Sequence, residues 1–297
     1  MNRNFVREFS RELDFPAEAE AALLAAADAV QADTQANAVM ERELHRYFSD
    51  ETHNLYDSFF AVQAAAKPLP VETGTVELLF YILCAEHLRT LYAQAGYTPQ
   101  MYRDAMIDLR CKLFECHQVK GFWGSFVDYW YNGFYSLERV ALGRLQFERC
   151  TMPPCISPDG RICFAGGEKA INIHIPSRGP LDADAVQDAF RQAAAFYAAE
   201  FPGDTVLLRC HSWLLFPGHQ VMLPPESRIR QFADMFTHIF TDIDGTKHDM
   251  WRIFGDVDLT KPENLPRNSG LQRAYADWLL AGRPVGSGMG IRYEKKP

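Results

Sequence analysis

The sequence lacks any apolar run long enough to span a bilayer, because its longest, around Val76 to Ala85, is interrupted by Glu77 and followed by Glu86 and His87. The opening residues, Met1-Asn2-Arg3-Asn4-Phe5, have no apolar core of a secretory signal, so a soluble cytoplasmic protein with no membrane partner is expected. Cys-x-x-Cys is missing among the seven cysteines, Cys84, Cys111, Cys116, Cys150, Cys155, Cys163 and Cys210. That scatter argues against a disulfide framework and a zinc site and for reduced thiols. No Gly-x-Ser-x-Gly elbow, P-loop lysine pattern or His-Glu-x-x-His pair occurs either, so no metal is expected. Positive charge is also short. Thirty Lys and Arg against 38 Asp and Glu give a net charge of −8, which leaves no basic stripe for a phosphate backbone and excludes nucleic acid as the main partner.

What remains is 297 residues of ordinary globular composition, 47% hydrophobic and 23% charged, a length that favours two domains. The first half reads as successive helices. Alanine-rich residues 16–32 carry Glu18 and Glu20 in their first turn, and residues 41–48 and 52–66 have similar propensity. Lys67-Pro68-Leu69-Pro70 stops the last of these, and a longer helix follows over about 75–95. Thr98-Pro99 then opens another, in which Met106, Leu109, Leu113 and Cys116 share one buried face. Between Gly121 and Tyr135 stand eight aromatic residues whose spacing suits packing in a core or between domains, with the lining of an acyl channel as the alternative.

After Leu137 the period changes, which places a boundary between residues 1–137 and 138–297. Residues 144–150, 161–165 and 170–176 read as strands of an antiparallel meander. Ser177-Arg178-Gly179-Pro180 is a tight turn, and Val186, Phe190, Ala193, Tyr197 and Phe201 stripe the helix that Leu181-Asp182 opens. A strand over 205–213 and a helix over 226–240 come next. Strand, helix and strand form a crossover between parallel strands. With Ile171, Ile173 and Ile175 against the helix, alternation puts Asn172 and His174 with Arg209 and His211 on the opposite face. Each histidine alone suits a structural hydrogen bond as well as a catalytic role.

The segments 173–181 (Ile-His-Ile-Pro-Ser-Arg-Gly-Pro-Leu) and 210–215 (Cys-His-Ser-Trp-Leu-Leu), with the glycine-rich tail 286–290, resemble a bacterial family of acyltransferase-domain proteins. In that family a helical N-acyltransferase-type domain precedes a GNAT-like domain. The resemblance therefore implies an α+β chain, all-helical over 1–137 and a GNAT-like mixed β-sheet with flanking helices over 138–297. It also implies acyl-CoA as co-substrate and a small-molecule or amine acceptor. Pantetheine would pair with the strand containing Ile173 and Ile175, and the pyrophosphate would sit on the helix start formed by Ser177, Arg178, Gly179 and Leu181. Of the usual Gln/Arg-x-x-Gly-x-Gly/Ala turn only Arg178 and Gly179 remain, followed by Pro180 and Leu181.

An acyl transfer of this kind needs a base for the acceptor's proton. His211 is the first candidate and His174 the second, with Ser212 as the acid for the departing thiolate. Cys210 points to the core under the same alternation, where a thiol is inert. A catalytically silent ligand-binding or partner-binding protein and a thioester hydrolase are the rival readings.

Overall fold

The computed structural model describes residues 1–297, the side chain of Asp128 excepted, and shows an α+β chain of two compact units, Met1–Ala141 and Leu142–Pro297. The first unit holds helices α1 (Arg3–Glu12), α2 (Ala17–Ala32), α3 (Thr34–Phe48), α4 (Tyr56–Ala66), α5 (Thr73–Gln94) and α6 (Pro99–Lys120), with a single turn α7 (Asn132–Tyr135). Helix α5 is buried on every side from Gly74 to Ala85, which is why its sequence is apolar all round instead of striped. Helix α6 is bounded as its sequence dictates: Thr98 accepts from Met101 N, Pro99 takes the first position, and Gly121 closes it at φ +80°. Helix α1 was not anticipated. It is ten residues long and capped by Asn2, with Val6 and Phe9 as its buried face.

The aromatic run divides by burial. Tyr131, Phe134 and Tyr135 are fully buried in the helical unit's own core, where Tyr135 Oη donates to Tyr81 O at 2.6 Å, whereas Tyr129 is 56% exposed.

A mixed six-stranded sheet runs in the order β1-β2-β5-β6-β8-β7, all but its first strand within the second unit. Its strands are β1 (Arg139–Leu142), which brings the chain out of the first unit, β2 (Leu145–Thr151), β5 (Lys169–His174), β6 (Thr205–Ser212), β7 (Thr237–Ile243) and β8 (Gly286–Lys295). The expected meander is interrupted, because β3 (Cys155–Ile156) and β4 (Cys163–Phe164) pair as a separate hairpin between β2 and β5. Helix α8 (Ala183–Phe196) makes the crossover from β5 to its parallel neighbour β6, and both strands run antiparallel to their other neighbours, β2 and β8. The helix expected over 226–240 is a correction: a short helix occupies Arg228–Ala233, and the rest is strand β7. The glycine-rich tail is likewise a full strand, β8, with neighbours on both sides.

Glycine explains how β8 fits. Gly286, Gly288 and Gly290 fall on one face by alternation, and an added Cβ at Gly288 would lie 2.1 Å from Leu215 O, at Gly290 2.8 Å from Phe236 Cβ. The chain after β6 lies directly on that bare face.

Among the described residues no helix is long and apolar enough to cross a membrane, and no cysteine forms a disulfide.

Candidate active site

Strand pairing fixes the faces. Ile171 pairs with Leu208 and Asn172 with Arg209 across β5 and β6, and Arg209 and His211 lie opposite Ile291 and Met289 of β8. Helix α8 covers the Ile171 and Leu208 face, since Arg292, the partner of Leu208, donates to Gln187 Oε1 at 2.9 Å and lies 4.9 Å from the Phe190 ring. Asn172, His174, Arg209 and His211 therefore share the other face, as alternation requires. Beyond Asn172 and Arg209 the β5–β6 ladder ends, although β5 continues to His174 and β6 to Ser212.

Along this face runs a polar chain. Arg209 Nε and Nη2 both donate to Asn172 Oδ1 at 3.2 Å, which turns the Asn172 amide nitrogen toward His174 Nε2, 3.0 Å away. The same imidazole nitrogen lies 2.8 Å from Glu148 Oε1 on β2. With Nε2 bare His174 accepts from Asn172, and with a proton on Nε2 it donates to Glu148. Either way Nε2 of His174 is held by its neighbours.

His211 is placed differently. Its Nε2 is 2.9 Å from Asp242 Oδ2, its ring lies 5.7 Å from Phe240, and its side chain is 40% exposed. Asp242 reaches it because of an irregularity in β7: the register slips between His238 and Phe240, so that Phe240 and Asp242 come onto the His211 face. The carboxylate holds the imidazole proton on Nε2 and leaves Nδ1 as the lone-pair nitrogen. A histidine with a carboxylate partner thus stands near the end of the strand gap. Sequence reading missed Asp242, because the residues before it carry helical spacing and a bulge leaves no one-dimensional signal.

Ser212 does not join this group. It falls in the opposite phase, beside Gly288, and its hydroxyl accepts from Leu214 N at 3.2 Å as the cap of a 3₁₀ turn. Cys210 is fully buried, and burial pushes its thiol up to about 12, which leaves it protonated and unreactive. Trp213, expected at the end of β6, begins the turn instead and packs toward Tyr275.

The turn after β5 also departs from expectation. Helix α8 begins at Ala183, and the Asp182 carboxylate accepts from Asp184 N and Ala185 N, so the helix's first amides and its positive end are already taken by an acid. The corrected placement leaves Ser177, Arg178 and Gly179 ahead of the helix, with Ser177 and Gly179 exposed and Gly179 at φ +76°. Arg144, from the turn before β2, braces this loop by donating to the carbonyls of Pro176, Gly179 and Pro180 at 2.9–3.0 Å. Ile173 is buried within β5, and Ile175 is half-buried just past its end.

Residues 140–292 match the family model of a GNAT-like C-terminal domain and residues 4–137 that of an N-acyltransferase N-terminal domain. No curated protein matches the chain. Among solved structures, an acyltransferase in complex with decanoyl-CoA and teicoplanin is similar with a TM-score of 0.74 at 22% identity, covering 97% of this chain and 87% of the other. A mutant acyltransferase with octanoyl-CoA, and an acyltransferase with CoA and 10C-teicoplanin, give the same score and identity over 98% and 88%.

Proposed function

The chain belongs to the family defined by those two domains, an N-acyltransferase N-terminal domain followed by a GNAT-like C-terminal domain, and we propose that it moves an acyl group from acyl-CoA to the amine of a small molecule. The observation that carries this reading is the His211–Asp242 pair on the face away from α8, at the end of the gap where β5 and β6 cease to pair. The complexes of the structural relatives with acyl-CoA and a small-molecule acceptor support it, and seven cysteines without a disulfide among the described residues suit a reducing, cytoplasmic setting.

In this reading the backbone of Ile173 to Ile175 offers an unladdered edge to pantetheine, and Ser177, Arg178 and Gly179 offer the phosphate contacts. Leu181 supplies only an apolar wall. The helix end contributes little, because Asp182 repels an anion there. His211 Nδ1 takes the proton that the acceptor nitrogen loses as it attacks the thioester carbon, then hands it to sulfur as the carbon–sulfur bond breaks. Asp242 stabilises the imidazolium in between. His174, Asn172 and Arg209 keep the floor of the face rigid.

A thiol-release assay with octanoyl-CoA and a panel of primary amines tests the scheme. His211→Ala lowers turnover about 10²-fold or more with acyl-CoA affinity retained, and Asp242→Asn lowers it less. Equal rates in His211→Ala and the parent would sink the assignment. The silent ligand-binding reading draws on one observation, the occupation of the helix end by Asp182; it expects thiol release from no amine at all.

A further inference from the structure

The helical unit contains a cleft lined by none of the residues assigned above to the transfer chemistry. It has a volume of about 390 Å³, in the range of small-molecule sites, and its lining lies entirely within that unit, from α4, the start of α5 and the loop after α6. Gly74 permits that loop to close on α5, since a Cβ there would stand 2.1 Å from Ser125 O. Three rings at the cleft, Tyr56, Phe60 and Tyr129, are 46%, 45% and 56% exposed, and Tyr56 meets Phe60 edge-on at 4.9 Å. Phe126 also lines it but already has Lys120 Nζ 5.9 Å from its ring.

One acid lies among these rings. Glu77 is 4% exposed, its Oε1 accepts from Gln63 Nε2 at 2.6 Å, and among the described residues it forms no ion pair. A carboxylate taken out of water needs more than one neutral amide to offset the loss. We propose that this cleft binds a primary ammonium carried on an apolar body. The ammonium completes the hydrogen bonding of Glu77, the ring faces attract its charge, and the apolar body covers the exposed aromatics. An acyl chain fits poorly, because its methylenes offer the Glu77 carboxylate no hydrogen bond.

Calorimetric titration of phenethylammonium and of 2-phenylethanol into the full chain, with no CoA present, tests the site. The ammonium binds saturably and at least tenfold more tightly than the alcohol, and Glu77→Gln removes that preference. Should Glu77→Gln not fold, Tyr129→Ala at an exposed ring serves instead and weakens the ammonium several-fold more than the alcohol. No saturable ammonium binding, equal binding of the two probes, or decanoate binding that strengthens in Glu77→Leu overturns the proposal. Adding octanoyl-CoA separates two sources of the amine. An acceptor is consumed with thiol release, and in Glu77→Gln its KM rises more than its kcat falls; an effector stays intact. Because the binding arm contains no CoA, its outcome is independent of the transfer reading.

Discussion

Three histidines in the C-terminal unit differ only in what surrounds them. His219 is fully buried, with Nε2 2.5 Å from Tyr275 Oη and Nδ1 3.3 Å from Leu214 O, and burial pushes it down to about 4 against the weaker upward pull of the Leu214 carbonyl. It is neutral at pH 7 and ties the turn after β6 to the helix Gly270–Leu280. The unfolded chain, with an ordinary histidine near pH 6.5, binds this proton more readily than the folded one. Stability conferred by the neutral ring is therefore complete above about pH 6.5, falls as the pH drops toward 4 and then levels, a loss of about 3 kcal/mol from this residue. Urea melts at pH 7 and pH 4.5 measure it, and His219→Gln flattens the part of the difference that His219 causes. An undiminished difference in that variant would place the effect elsewhere. His174 and His211, by contrast, each face a carboxylate, Glu148 at 2.8 Å and Asp242 at 2.9 Å, and the His211 side chain is the more exposed of the two, 40% against 19%.

At the level of elements, strand β8 shows how a pattern of small residues becomes architecture. Its glycines at every second position bare the face on which Leu215 and Phe236 lie, while Met289 and Ile291 pack on the opposite face beside His211 and Arg209. Gly288→Ala drives a methyl into the Leu215 carbonyl and costs about 1–3 kcal/mol, readable as a lower urea midpoint at constant slope. Unaltered stability would mean that the turn moves freely off the strand. The crossover was legible beforehand because Ile171, Ile173, Val206 and Leu208 alternate cleanly and α8 carries a single stripe. Strand β7 was not legible: Ile229, Phe232, Phe236 and Ile239 fall three and four apart, which is the helical period, and the chain leaves that helix at Ala233. With β7 misread, Asp242 had no place beside His211. The acid at the end of α8 was visible in the sequence as Asp182 and Asp184, but whether it capped the helix depended on where the helix began.

For the molecule as a whole, the change of period from helical to alternating marked two architectures in one chain, and both family domains match in that order. The two units rest on different physics. A buried apolar helix, α5, organises the first, while in the second a mixed sheet opens between β5 and β6 and carries Asn172, His174, Arg209 and His211 on one face. Everything proposed for the second unit requires acyl-CoA to enter that opening, with its phosphates near Arg178. Calorimetric titration of octanoyl-CoA into the parent chain, Arg178→Ala and His211→Ala tests this without knowledge of the acceptor. The account predicts saturable binding to the parent, affinity lower by about tenfold to a hundredfold in Arg178→Ala through loss of a charge-assisted contact, and little change in His211→Ala. Absence of saturable binding to the parent, or identical affinity in Arg178→Ala, would contradict it.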